Sequence, residues 1–112
     1  CSENIEVKSI VDRFLEHARM FMFCQNNEPK IYLSSADWMT RNLENRIECA
    51  FPVYDFNCRK TLLDLFELQW NDPLKARIID GVTDTELPQT HDQTGLLSAQ
   101  EATFQYLRSL DV

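Results

Sequence analysis

Residues 19–33, RMFMFCQNNEPKIYL, contain the clearest strand and turn patterns in the chain. The stretch opens with an unbroken apolar and aromatic run, residues 20–24, which has the length of a buried β-strand and is too short for a typical helix. Residues 25–29 combine amide, acidic and proline side chains, which is typical of a turn. Residues 30–33 return as a second strand, so the stretch predicts a β-hairpin.

Further strand patterns lie on both sides of this hairpin. Residues 5–11 alternate weakly, and residues 12–17 read as a bend or a short helical turn. Residues 46–53 alternate more clearly and predict a strand that ends near its proline. Residues 74–79 have the composition of one more short strand.

Two helices are predicted from their capping residues and apolar spacing. Asp55 is a good N-cap for a helix that residues 71–73, Asn-Asp-Pro, bring to an end. Residues 98–101, Ser-Ala-Gln-Glu, form a capping box that opens a last helix to about Leu110. Residues 80–97 between them read as a loop. Strands mixed with two helices predict a single α/β or α+β domain across residues 1–112.

Composition and charge exclude several function classes. The chain has 112 residues, 44% of them hydrophobic and 26% charged, as in an ordinary globular domain with a sizeable core. Its net charge of −7 argues against duplex nucleic acid and anionic membranes as partners. No apolar run is long enough to span a bilayer. The chain starts at Cys1 without a methionine or signal peptide, so we interpret it as an excised piece of a longer cytoplasmic protein.

Charge is distributed unevenly along the chain. Residues 1–50 carry six basic and eight acidic side chains, for a net charge of −2, and residues 51–112 carry five and ten, for −5. A phosphate-binding site would therefore have to be a local patch, and the less negative charge of residues 1–50 makes it more favourable there than in residues 51–112.

The four cysteines do not indicate a metal site. Cys1, Cys24, Cys49 and Cys58 have no Cys-x-x-Cys spacing and no paired Cys/His spacing, so we predict no zinc centre. In a chain without secretory features they read as reduced thiols. Cys49, in an alternating apolar stretch, is predicted to be a small core residue.

His17 is the first candidate for chemistry. It lies between two apolar segments and is surrounded by charged residues, including Arg13, Glu16 and Arg19. One interpretation is a surface histidine at a bend. The other, given equal weight, is an imidazole that exchanges protons or attacks phosphorus beside guanidinium groups that hold phosphate oxygens. The other histidine, His91, reads as a solvated loop residue.

The second candidate is the polar stretch that follows the hairpin. Residues 34–48, SSADWMTRNLENRIE, place hydroxyl, amide, carboxylate and guanidinium groups after a strand end. Such groups can line a pocket for an anion. A polar turn that caps a helix explains the same composition, and composition alone favours this structural interpretation.

A family resemblance favours the functional interpretation of both His17 and residues 34–48. Three short blocks resemble the second part of the phospholipase D superfamily half-site: SSAD at 34–37, RNL at 41–43 and NRIE at 45–48. More narrowly, VDRFLEHAR at 11–19 is similar to the C-terminal domain of bacterial polyphosphate kinase, as are residues 31–48 and 74–80. This resemblance runs from about Ser2 to Asp80 and resumes weakly over residues 98–107. It implies a phospholipase-D-like mixed sheet flanked by helices.

The resemblance also implies a function in a larger parent enzyme. In that family, one of two facing domains carries a histidine that ATP phosphorylates, and the phosphoryl group passes to inorganic polyphosphate. This chain resembles the second domain, and His17 matches its active-site histidine. The phosphohistidine, the Mg²⁺ ligands and the adenine-binding residues then lie mostly in the preceding domain. The parent is expected to be a cytoplasmic homo-oligomer, peripheral to the membrane in some settings, with no nucleic-acid partner.

Individual residues receive roles from the same resemblance. His17 and Glu48 are the catalytic candidates, with Glu48 suited to orient the imidazole. Arg19, Ser35 and Asn42, with His17, are the candidates for binding ATP or phosphate. No metal ligand is expected in the chain. Asp37, whose charge would repel polyphosphate, is expected to pair with Arg41 or to cap the following turn.

Two other functions remain open at this point. One is a phospholipase-D-like phosphodiesterase that pairs two copies of His17 in a homodimer. Its motif is incomplete here, since Arg19 stands in place of Lys, Ser34 in place of Gly and Asp37 in place of Asn. The polyphosphate kinases share these departures as a group. The other is a non-catalytic module for polyanion binding or assembly.

Overall fold

The computed structural model of the chain describes residues 3–26, 28–79 and 95–110. Strands and helices are mixed along these ranges, which confirms the α/β (α+β) class. The elements are β1 (Lys8–Ile10), β2 (Met20–Gln25), β3 (Glu28–Ser34), α1 (Thr40–Asn45), β4 (Ala50–Val53), α2 (Phe56–Trp70), β5 (Ala76–Ile78) and α3 (Ala99–Leu110).

The predicted hairpin is confirmed as β2 and β3. The two strands pair antiparallel from Met20 opposite Leu33 to Gln25 opposite Glu28. The chain reverses at Asn26, whose φ of 53° is in the left-handed region. Asparagine is one of the few residues that adopt this conformation readily, which explains why the amide-rich stretch forms the turn.

All the described strand pairs are antiparallel. Strand β3 lies between β2 and β4 in a three-stranded sheet, and β1 pairs with β5 in a second sheet of two strands. The resemblance implied a mixed sheet. The tight turn between β2 and β3 allows only antiparallel pairing of these two strands, since a parallel pair needs a crossover of about a dozen residues or more.

The two predicted helices begin at their predicted caps. The Asp55 carboxylate accepts the N–H of Cys58 at 2.8 Å at the start of α2. At the start of α3, the Glu101 N–H donates to Ser98 Oγ and the Ser98 N–H donates to Glu101 Oε2, both at 3.4 Å. The short helix α1 agrees with the interpretation of residues 34–48 as a polar turn that caps a helix, although its bounds were not predicted. Its N-cap, Met39, provides no side-chain hydrogen bond, so the usual capping signal is missing.

The predicted strand over residues 46–53 was too long. Only β4, its second half, is a strand, because the backbone before it brings Glu48 against side chains of the polar stretch. The prediction that Cys49 is a core residue was wrong, since its side chain is exposed. Ile47 is fully exposed as well.

The described residues form two compact units. One comprises Glu16–Leu62, with the three-stranded sheet, α1 and the start of α2. The other contains β1, the rest of α2, β5 and α3. Within the described ranges the expected sizeable core is absent, because Ile31 and Ala99 are the only apolar residues that are fully buried. Much apolar surface is therefore left uncovered.

The second unit is held together by Asp72. This buried carboxylate accepts the backbone N–H groups of residues 74, 75 and 76 with Oδ1 and that of Ala99 with Oδ2. In the same unit, Lys8 Nζ donates to the carbonyl of Trp70 at 3.0 Å and lies 4.3 Å from the centroid of its indole ring. Its positive charge thus stands at the negative end of α2.

Part of the sequence prediction falls outside the described residues. This applies to most of the predicted 80–97 loop and to His91. Of the helices in the described ranges, none combines the length and the hydropathy needed to cross a membrane.

Candidate functional site

Antiparallel topology brings the predicted site residues to one end of the three-stranded sheet. His17 precedes β2, Ser35 follows β3 and Glu48 precedes β4, so all three lie where a strand starts beside the end of its neighbour. Backbone hydrogen bonds close this end. The Ser34 N–H donates to the carbonyl of Arg19 at 2.9 Å, and the Ser35 N–H donates to that of Cys49 at 3.0 Å.

The Glu48 carboxylate organises one half of the site. Its Oε1 accepts a hydrogen bond from Asn42 Nδ2 at 2.8 Å, and its Oε2 accepts one from the Ser35 hydroxyl. The Ser35 oxygen in turn accepts the Cys49 N–H at 3.0 Å. Asn42 is only 3% exposed, and α1 carries it into this position. A buried amide needs such a partner, so Glu48 holds Ser35 and Asn42 in place.

Arg19 organises the other half. Its Nε donates to Asp37 Oδ1 at 2.5 Å and forms an ion pair with it. Its Nη1 donates to the His17 carbonyl at 3.1 Å, and its Nη2 lies 3.4 Å from His17 Nδ1. The expectation that Asp37 pairs with Arg41 or caps the next turn was wrong. Arg19, just before β2, forms the ion pair instead, through a charge-assisted hydrogen bond from Nε.

The two halves are coupled through their charges. Hydrogen bonding by Arg19 lowers the pKa of Asp37, and the charges of Arg19 and Arg41 add to the effect. The hydrogen bonds from Ser35 and then Asn42 lower the pKa of Glu48, with smaller contributions from Arg46 and Arg19. Both carboxylates are therefore anionic near neutral pH, and Arg19 interacts with both.

The lowered pKa of Glu48 predicts that the stability of the fold depends on pH in the acid range. A carboxylate whose pKa is depressed on folding stabilises the fold above its unfolded value, here 4.5 for Glu48, and loses that contribution as pH falls through the folded value. Glu48→Gln is expected to lower the free energy of unfolding at neutral pH. It should also flatten the decline in stability as the pH falls below the unfolded pKa of Glu48. Urea titrations at several pH values measure this.

Glu44→Gln is the matched control for the loss of one negative charge. Glu44 is exposed on α1 and lies outside the hydrogen-bonded cluster. If Glu48→Gln and Glu44→Gln gave the same profile, the hydrogen bonds to Ser35 and Asn42 would have no energetic role.

The arrangement suits an anionic substrate more than a metal ion. In the part of the chain that the structure describes, no group of three or more His, Cys, Asp or Glu side chains is placed to hold a metal. His17 is exposed, and imidazole, guanidinium, hydroxyl and amide donors lie at the same end of the sheet. Donors of this kind bind and orient phosphate oxygens.

The structure places the five predicted site residues at one end of the sheet, in two groups. Ser35, Asn42 and Glu48 form one group, and His17 and Arg19 belong to the other. Glu48 does not contact the imidazole in the described part of the chain. The sequence analysis missed the role of Asp37 beside Arg19, since a separation of 18 residues gives no local signal.

Comparison with known proteins gives a consistent result. Residues 1–100 match the family described as "Polyphosphate kinase C-terminal domain 2". The chain is 43% identical over 111 residues to a polyphosphate kinase of Yersinia pestis and 41% identical to one of Escherichia coli K12. In both cases the match covers 98% of this chain and 16% of the relative.

A solved structure agrees with the sequence matches. The crystal structure of polyphosphate kinase from Porphyromonas gingivalis superposes with a TM-score of 0.83 at 38% identity, over 96% of this chain and 16% of that one. The chain thus spans 16% of the length of these relatives. With a family match over most of its residues, the chain belongs to the polyphosphate kinase C-terminal domain 2 family.

Proposed function

We propose that this chain is a catalytic domain of an ATP–polyphosphate phosphotransferase and that His17 is the second active-site histidine. In this proposal a histidine of the preceding domain accepts the terminal phosphoryl group of ATP and passes it to inorganic polyphosphate. The observation that carries the proposal is the gathering of His17, Arg19, Ser35, Asn42 and Glu48 at one sheet end, in a chain of this family.

Phosphoryl transfer depends mainly on positioning and charge neutralisation. The phosphohistidine N–P bond breaks while a terminal oxygen of polyphosphate forms the new P–O bond. During this exchange charge is spread over the equatorial phosphoryl oxygens. His17 and Arg19 donate hydrogen bonds to these oxygens. Ser35, whose hydroxyl proton goes to Glu48, and the buried Asn42 bind phosphate only after release from Glu48. Glu48 contributes by fixing Ser35 and Asn42, since both are hydrogen-bonded to it.

The site has to be completed by another domain of the parent protein. In the Glu16–Leu62 unit, four large apolar side chains on and beside α1 are at least half exposed: Trp38, Met39, Leu43 and Ile47. An apolar patch of this kind on a small unit marks an interaction surface. The proposed partner is the preceding catalytic domain of the same polypeptide, and homo-oligomerisation of the parent is part of the proposal.

Mg²⁺ and the adenine of ATP are proposed to bind mostly outside this chain. The described residues hold no cluster suited to a metal ion, so no step assigned to this chain passes through one. A cytoplasmic parent, peripheral to the membrane in some settings, fits the same proposal. The net charge of −7 requires that polyphosphate meets a local patch of donors and not a broad basic face.

The proposal is tested by titrating the ¹⁵N-labelled chain with short polyphosphate and, separately, with Mg-ADP. We expect chemical-shift changes to cluster at His17, Arg19, Ser35, Asn42 and Glu48. Sulfate at equal ionic strength is the control for general anion effects. The isolated chain should neither become phosphorylated by ATP nor make polymer, because the accepting histidine belongs to the preceding domain.

Other outcomes would contradict the proposal. Polymer synthesis by the isolated chain would place the whole reaction within it. Salt-dependent binding that survives His17→Ala and perturbs scattered basic residues would favour a non-catalytic polyanion module. Dimer-dependent hydrolysis of a model phosphodiester would favour the phosphodiesterase alternative.

A further inference from the structure

The contacts of Arg19 give His17 an orientation that the imidazole could not maintain alone. Among the described residues, three of the five guanidinium N–H groups of Arg19 are engaged: one with Asp37 and two with His17. The arginine therefore spans from a fixed carboxylate to both the backbone and the ring of His17. Its side chain is only 23% exposed, which limits competition from water.

The ring contact favours one of the two neutral tautomers of His17. A guanidinium group has donors and no acceptor. With Arg19 Nη2 3.4 Å from His17 Nδ1, the favourable arrangement has a lone pair on Nδ1. The ring proton is then on Nε2, the nitrogen on the opposite side of the imidazole. The geometry determines this tautomer only as long as Arg19 stays in place.

Asp37 keeps Arg19 in place. Its Oδ1 holds Nε at 2.5 Å, on the edge of the guanidinium away from Nη1. The polar turn that carries Asp37 is itself ordered, because the Ala36 N–H donates to Ser34 Oγ at 3.1 Å. The indole of Trp38, next in the chain, lies 6.2 Å from the ring of Phe21 on β2. The turn that carries the carboxylate thus lies beside the strand that follows His17.

We propose that Asp37 is a positioning residue which, through Arg19, holds His17 as the Nε2–H tautomer with Nε2 directed to the transferring phosphoryl group. Asp37 itself touches neither phosphate nor the imidazole. In this role Nε2–H donates a hydrogen bond to a phosphoryl oxygen, and the tautomer with the proton on Nδ1 would present a repelling lone pair instead. The inference rests on the proposed function of His17 and deepens it. It also explains the presence of a carboxylate in a site for a polyanion.

The direct test is the tautomer of His17 in the full-length protein that carries this chain. Magic-angle-spinning NMR of ring-¹⁵N-histidine distinguishes protonated from unprotonated ring nitrogens, and His17→Gln assigns the His17 signals by their loss. We expect a protonated Nε2 and an unprotonated Nδ1 in the wild type. Asp37→Asn and Arg19→Lys should each give a mixture of tautomers. Arg13→Lys, an exposed arginine outside this cluster, is the matched control and should leave the tautomer unchanged.

Kinetics provide a readout that a purely structural role would not produce. Removing the charge of Asp37 reduces repulsion of polyphosphate, so simple electrostatics predicts a lower KM and an unchanged kcat. Positioning predicts that Asp37→Asn lowers kcat, on the order of 10²-fold, without raising KM for polyphosphate. Asp37→Glu, which retains the charge, should restore part of kcat.

The outcomes separate this inference from the proposed function. A wild-type His17 protonated on Nδ1, or a tautomer that does not change in Asp37→Asn and Arg19→Lys, overturns the positioning role. A tautomer that responds as expected in an enzyme whose activity does not need His17 supports the positioning role of Asp37 on the ring and refutes the function proposed for His17.

Discussion

Replacing His17 by alanine in the full-length protein is expected to lower kcat for polyphosphate synthesis by about 10²–10⁴-fold, the usual contribution of a positioned proton donor or acid–base group. His17 is exposed, stands next to Arg19 and heads the strand that borders Ser34. Its loss would remove the central donor to the transferring phosphoryl group. Phosphorylation of the partner histidine by labelled ATP should slow as well, since both half-reactions use the same site.

Two variants sharpen this experiment. His17→Gln keeps an N–H donor but cannot exchange a proton near neutral pH, so partial recovery of kcat would identify His17 as a hydrogen-bond donor. No recovery would identify it as a proton-transfer group. His91→Ala, at the other histidine of the chain, is the matched control and is expected to retain wild-type activity. If His17→Ala kept kcat within about twofold of the wild type, His17 would not be an active-site residue.

Replacing Asp72 by alanine is expected to destabilise the unit around α3 by about 3–5 kcal/mol, among the largest effects for a single substitution. The carboxylate is 5% exposed and accepts four backbone N–H groups, from residues 74, 75, 76 and 99. Alanine would leave these donors unsatisfied, and each buried unsatisfied donor costs about 1–3 kcal/mol, with relaxation recovering part of the sum. The effect should be on stability and not on phosphate binding.

Urea denaturation of the chain gives the change in unfolding free energy, and hydrogen exchange of the four amides locates it. Asp72→Asn retains an oxygen for the three N–H groups near β5 but places an amide against Ala99, so it should cost less than alanine and loosen mainly the start of α3. Glu44→Ala, at an exposed position, is expected to stay within about 0.5 kcal/mol of the wild type. Equal stability of Asp72→Ala and Glu44→Ala would contradict the role assigned to Asp72.

The correctly predicted parts of the fold depend on local patterns. The hairpin of residues 19–33 combines two apolar runs with a turn, and Asn26 takes the left-handed conformation that the turn needs. Asp55 and Ser98 cap the helices that follow them. In each case the partners are a few residues apart, so the free energy that determines the structure is already present in the local sequence.

The errors over residues 46–53 have a common origin, because the sequence pattern does not show which residues pack against this stretch. The alternation over residues 46–53 was interpreted as one strand with a covered face, yet Ile47 is fully exposed and Cys49 is exposed too. A periodic pattern shows which side chains share a face and not whether anything covers it. The chain corresponds to 16% of the length of its relatives. Whether Ile47 and Cys49 are buried depends on what packs against them, and the alternating pattern does not specify this.

Local sequence patterns predict the α/β class, the hairpin and the helix starts, and the family resemblance indicates the candidate residues from His17 to Glu48. Which of these residues contact one another depends on how the strands and helices pack. Asp37 bonds to Arg19 across 18 positions, and Asp72 bonds to Ala99 across 27. The physical reason is that such contacts form only after strands and helices have paired, and they are then selected by distance and charge, which no spacing in the chain specifies.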